Sequence, residues 1–144
     1  MRDIEVLHFS EDKTSSEFTI QNPLSYVTGK DLLAGRITKL MFTQIGSDSY
    51  NLEMGTTFYD IMKVYREDEL DNVRASLPVI IKALEEQVKQ DQTEELINGK
   101  ILKDSEILDS LILKNYVFDD TFGGWIITIE VNTKSGETAY VQIP

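Results

Sequence analysis

The chain has 144 residues, enough for one domain with its own core, and its 41% hydrophobic and 27% charged residues are those of a chain that folds. A formal charge of −11 gives nucleic acid no electrostatic footprint. With no cysteine, disulfides, thiolate nucleophiles and cysteine-ligated zinc are excluded. No stretch has the length and apolarity of a membrane span or the form of a secretory leader, so synthesis in the cytoplasm is expected.

Residues 1–27 predict a β segment, because "IEVLHFS" (4–10) and "EFTIQNP" (17–23) are rich in β-branched and aromatic residues around a polar turn. At Thr28 the period changes. "TGKD" has the form of a capping box, and Leu33, Ile37, Leu40 and Met41 recur at i, i+4, i+7 and i+8, which predicts a helix over 29–43. A second start at Thr57, with Asp60 three residues on, leads into Phe58, Ile61, Met62 and Tyr65 and predicts a short helix. A third helical region begins near Asp68 or Asp71, with Leu77, Ile80, Ile81, Leu84 and Val88 as its stripe. Pro78 requires either a kink or a fresh helix capped by Ser76. The acidic residues of 66–96 read as the solvated face of these helices, with a basic protein partner as the alternative.

After the turn "NGK" (98–100), "ILDSLILKNYVFD" (107–119) reads as strand. "GGWIITIEVNT" (123–133) alternates Trp125, Ile127, Ile129 and Val131 against Ile126, Thr128, Glu130 and Asn132, so one face is buried. "KSGE" is a hairpin turn into a last strand, "TAYVQIP". The expected fold is a single α+β domain: an N-terminal β segment (1–27), a helical part of about three helices (28–98) and an antiparallel meander (104–144).

Chemistry is sparse. His8 is the only histidine and reads as structural, and no nucleophile elbow or phosphate loop occurs; "GSDS" (46–49) lacks the lysine that a phosphate loop needs. Asp48, Glu53 and Asp60 are the carboxylates that a glycosidase would use, but nothing marks a carboxyl held in an apolar pocket. No catalytic residue, cofactor or metal site is predicted. The stretch "IGSDSYNLEMGTTFYDIM" (45–62) reads as a structural clip between two helices, with Gly46 reversing the chain, Leu52 and Met54 turned inward and Gly55 preceding the next helix cap.

Within "DLLAGRITKLMFTQIGSDSYNLEMGTTFYDIM", Leu40, Thr43, Gly46, Ser47, Glu53 and Gly55 stand in the order and spacing of a helix end, a Gly-Ser/Glu loop and an acidic-aromatic-Gly step, with Met54 in the aromatic slot. This resembles the small baseplate wedge proteins of contractile phage tails, the sheath-initiator family also found in contractile bacteriocins and type VI secretion. The baseplate proteins of Gram-positive prophage tails, which have a longer leading β segment, are similar as well. Leu52 replaces the usual proline before the step, and the Glu-Pro-Arg triplet of the wedge branch is absent, so the wedge contact made by that triplet is not implied here.

The resemblance implies a non-enzymatic structural protein of the virion baseplate, present in several copies and in contact with other wedge proteins and the sheath protein. Its expected assembly surface is the last strand, Thr138, Tyr140, Val141, Gln142 and Ile143, which carries no lysine or internal proline to deter a partner strand. A lysozyme-like glycosidase and an acidic adaptor or chaperone are the alternatives.

Overall fold

The structure, a computed structural model, describes residues 3–4, 8–9, 16–17, 26–58, 62, 65–121 and 123–143, with side chains from residue 27 onward. At the amino end, the two-residue strands β1 (Asp3–Ile4) and β4 (Tyr26–Val27) pair antiparallel, as do β2 (His8–Phe9) and β3 (Ser16–Glu17). The rest of the expected strands 4–10 and 17–23 lies outside the described residues.

Helix α1 spans Lys30–Phe42 and buries Leu33, Ile37, Leu40 and Met41, the four residues of the sequence stripe. Its start differs from expectation. Gly29, at φ +66°, is the N-cap and no side chain caps the helix, so Thr28 stands one residue too early for the capping box. Asp31 in the first turn and Lys39 in the last still complement the helix dipole.

A 3₁₀ turn (Glu67–Glu69) runs directly into helix α2 (Leu70–Ile97), a single helix of 28 residues. The Glu69 carboxylate accepts from the Arg66 amide at 2.9 Å, which secures the entry to the turn. Pro78 lies inside α2, and Ser76 starts no second helix. Val73 and Leu77 before the proline and Ile80, Ile81, Leu84 and Val88 after it are all buried. Burial of that continuous stripe outweighs the one amide bond that proline removes.

The expectation of about three helices is therefore corrected. The described residues form two α-helices and a three-stranded antiparallel sheet. The short helix expected from Thr57 falls largely on residues 59–61 and 63–64, outside the described part, and everything from Leu70 to Ile97 is one element.

Strands β5 (Leu108–Asp119), β6 (Gly124–Thr133) and β7 (Thr138–Ile143) form a meander with β6 in the centre. Leu111, Val131 and Ala139 share one row of the inner face, and Leu113, Ile129 and Val141 share the next. Two register shifts, at Leu108/Ser110 and Leu113/Asn115, interrupt β5, whereas β7 keeps regular register with β6. The two helices cover the inner face, α2 along β5 and α1 over β6 and β7. Arg36 ties the helices together by reaching Asp91 at 3.8 Å and Glu95 at 2.8 Å.

The outer face carries a polar ladder beside the exposed Ile112, Val117 and Tyr140. Lys114 meets Glu130 at 2.7 Å, Asn132 donates to Ser110 at 3.3 Å and to Glu130 at 3.1 Å, and Thr138 donates to Asn132 at 2.9 Å. One face buried and one solvated is the usual state of an antiparallel sheet. Leu84 sits in the middle of the buried stripe. Leu84→Ala should cost about 2–5 kcal/mol in urea unfolding through the cavity it leaves, and a near-native unfolding midpoint would show that the site collapses without loss.

Candidate functional site

The clip that joins α1 to the following segment is built from main-chain bonds. Thr43, the C-cap of α1, accepts from the Thr56 amide at 2.8 Å, and the Thr56 hydroxyl returns to the Met41 carbonyl at 2.9 Å. Gln44 and Thr56 thereby form a short parallel bridge. Gly55 must pass directly beneath Thr43: its φ is +113°, and a Cβ there would collide with the Thr43 carbonyl oxygen. From α2, the Gln87 side chain holds the loop at two points, donating to the Glu53 carbonyl at 3.0 Å and accepting from the Gly55 amide at 3.3 Å.

All seven residues singled out between Leu40 and Gly55 lie among the described residues. Leu40 is buried in the core, Thr43 ends the helix and Gly46 turns the chain, while the Ser47 hydroxyl donates to the Gln44 carbonyl at 2.6 Å. Met54 packs on the core edge, Gly55 takes the position only glycine fits, and Glu53 presents its side chain to solvent while its carbonyl is used. Leu52, expected inward, is exposed. The loop reaches the core through Met54 and Phe58 instead.

Of the three candidate carboxylates, two lie among the described residues. Asp48 accepts from the Tyr50 and Asn51 amides at 2.8 and 3.3 Å and so builds the turn, Glu53 is exposed, and Asp60 lies outside the described residues. His8 has no described side chain. Among the described residues, no group of three His, Cys, Asp or Glu side chains could hold a metal, and no helix is long and apolar enough to cross a membrane.

The sheet edges differ from one another in a way that the register explains. Thr133 donates to the Glu137 carbonyl at 2.9 Å, and its own carbonyl accepts from Gly136 at 3.0 Å. Thr133 and Glu137 are thus a hydrogen-bonded pair, and alternation makes Val131/Ala139, Ile129/Val141 and Ile127/Ile143 the next such pairs. The main-chain groups of Ala139, Val141 and Ile143 therefore face β6. Those of Thr138, Tyr140 and Gln142 face outward. Of the five residues expected at the edge, Val141 and Ile143 serve the domain's own sheet and core instead.

The same alternation turns the Leu111 amide away from β6, and there it meets a helix. Leu111 donates to the Glu85 carboxylate at 2.9 Å, Leu108 donates to the Gln92 side-chain oxygen at 2.9 Å, and the Gln92 amide donates to the Glu106 carbonyl at 2.7 Å. Helix α2 thus closes the first part of the β5 edge. Its two bulges and the exposed Lys114 blunt the rest, as edge strands are commonly guarded. β7 has none of these devices, pairs only with β6 among the described residues, and shows Tyr140 at 65% exposure.

Glu85, Gln87 and Gln92 belong to no motif in the sequence. Gln92 had a signal: it stands four residues after Val88, at the next step of the buried stripe, where a polar side chain requires a partner.

Among known proteins, no family model matches the chain, and no curated protein or solved structure matches it either.

Two outcomes are expected. Gly55→Val should destabilise by at least about 1–3 kcal/mol from backbone strain, with the Thr43 collision added, and an unchanged melting temperature would contradict this. For Glu85, burial raises the carboxyl pKa, but the bonds from Lys89 and the Leu111 amide outweigh it and hold the group below its ordinary value of 4.5. A depressed folded pKa gives stability that is present above the unfolded value and lost as pH falls through the folded one. The stability gap between the wild type and Glu85→Gln should therefore narrow on acidification below 4.5; a gap independent of pH would refute the linkage.

Proposed function

We propose that this chain is a structural component of a contractile tail baseplate, in which the helical part docks among the wedge proteins and the sheet accepts a strand from the sheath. The observation that carries the reading is the unequal treatment of the two sheet edges. β5 is closed by Glu85 and Gln92, bulged twice and marked by Lys114, while β7 offers the main-chain groups of Thr138, Tyr140 and Gln142 in regular register. An open, regular edge is a hazard to a solitary protein and a template for β-augmentation.

The motif from Leu40 to Gly55 supports the family assignment. Its geometry is a clip that holds α1 against α2, which is the work of a scaffold and requires no chemistry. In this reading the protein acts in the virion, in several copies around a symmetric tail, with wedge and sheath proteins as partners.

The test follows from the direction of each amide. Tyr140→Pro removes an amide that points outward and should leave the fold intact, because proline is tolerated on an edge strand. Val141→Pro removes an amide that serves β6 and should lower the melting temperature. On co-expression with the sheath subunit from its own tail gene cluster, Tyr140→Pro should weaken attachment at least about tenfold, the equivalent of one or two lost main-chain bonds. Undiminished attachment by folded Tyr140→Pro would overturn the proposal.

A further inference from the structure

Past Gln92, helix α2 has no buried residue, so residues 93–97 are held by their own main chain and by the bridges of Glu95 to Arg36 and Lys100, each 2.8 Å. The helix ends in the turn "NGK" (98–100). There the Gly99 amide donates to the Leu96 carbonyl at 3.1 Å, the Lys100 amide donates to the Glu95 carbonyl at 3.0 Å, and Gly99 has φ +84°. These two bonds around a left-handed glycine are a Schellman cap.

The same turn holds the one Asn-Gly pair of the chain. Asn22, Asn51, Asn72, Asn115 and Asn132 precede Pro, Leu, Val, Tyr and Thr, which either lack an amide proton or crowd the amide with a side chain. Asn98 and Gly99 are both exposed, and apart from the chain neighbours no atom lies within 4 Å of where a Gly99 Cβ would stand. Such a pair can react with itself. The Gly99 nitrogen gives its proton to solvent base and attacks Cγ of Asn98; the N–Cγ bond forms, the Cγ–Nδ2 bond breaks, and Nδ2 leaves as ammonia with a proton from water. Water then opens the succinimide ring at Cγ to give aspartate, or at the carbonyl carbon of residue 98 to give isoaspartate. Nothing is oxidised or reduced.

The cap opposes this step. Ring closure must rotate Asn98 out of its near-helical conformation (φ −77°, ψ 9°) and release the Gly99 amide from Leu96, so the turn has to open first. A helix end without buried side chains opens locally, well below the cost of global unfolding. We propose that Asn98–Gly99 is a self-modification site, closed by the carboxyl-terminal cap of α2 and exposed to water-driven conversion each time the last turn frays. Either product puts a carboxylate at the negative end of the helix dipole, four residues from Glu94, in a last turn that has no basic residue. Isoaspartate also lengthens the main chain by one carbon. Conversion therefore favours further opening of the turn. The site does not depend on the baseplate reading.

The test incubates the folded chain in mildly alkaline buffer and follows the tryptic peptide 90–100 by mass spectrometry, with isoaspartate counted by enzymatic methyl transfer. Aspartate and isoaspartate should accumulate at residue 98 and at no other asparagine. Conversion should be at least about tenfold slower than in the same chain unfolded in urea, because two main-chain bonds must open first. Leu96→Gly, at an exposed position of the last turn, should speed conversion in the folded chain about fivefold through glycine's weaker helix propensity. Asn98→Gln should abolish it. Asn98→Asp, which stands for one product, should hasten hydrogen exchange at Gly99 and Lys100. No conversion of the folded chain, equal rates folded and unfolded, or a Leu96→Gly rate no higher than that of the wild type would overturn the proposal, and unchanged exchange in Asn98→Asp would overturn the effect assigned to the product.

Discussion

Three hydrogen bonds from side chains of α2 to the main chain at the start of β5 fix the arrangement of everything else. Gln92 engages the Leu108 amide and the Glu106 carbonyl together, and Glu85 takes the amide of Leu111. Buried main-chain groups without partners are costly, so these bonds settle both where the strand begins and where the helix lies. With α2 fastened along β5, the remaining inner surface over β6 and β7 is left to α1. The row Trp125, Ile127, Ile129 and Val131 is then covered from both sides.

One consequence is asymmetry. A three-stranded meander has two edges, and a helix that lies along one cannot close the other. The helix that closes the first part of the β5 edge also supplies Gln87 to the clip, about 1.4 turns before Gln92, so a single element secures the sheet edge and the clip. The clip in turn holds the end of α1 through Thr43 and Thr56. Loop, helix and edge are one connected support, and among the described residues β7 pairs with no strand other than β6.

The exposed surfaces divide by kind. The outer sheet face carries a polar ladder through Lys114, Glu130, Asn132 and Thr138, in which the bonds from Lys114 and then Asn132 hold the Glu130 carboxyl below its ordinary pKa. Among the described residues, the β7 edge offers main-chain groups instead.

The sequence by itself determined the elements whose signal is local. Periodicity marked the buried faces of α1, α2 and β6, and "KSGE" marked the last hairpin, because a side chain's preference for the inside repeats at the period of its own helix or strand. Thr28 misled because the helix begins one residue later, at a Gly29 with positive φ and no capping side chain, a start that the Thr-x-x-Asp pattern does not describe. Pro78 left helix continuity undecided, since only the packed stripe on both sides could outweigh its missing amide. Which residues close an edge, that Gln87 grips the clip and that Val141 faces inward while Tyr140 faces out were decided by tertiary structure alone. Those facts depend on the register between strands and on contacts between residues tens of positions apart, and neither leaves a period in the sequence.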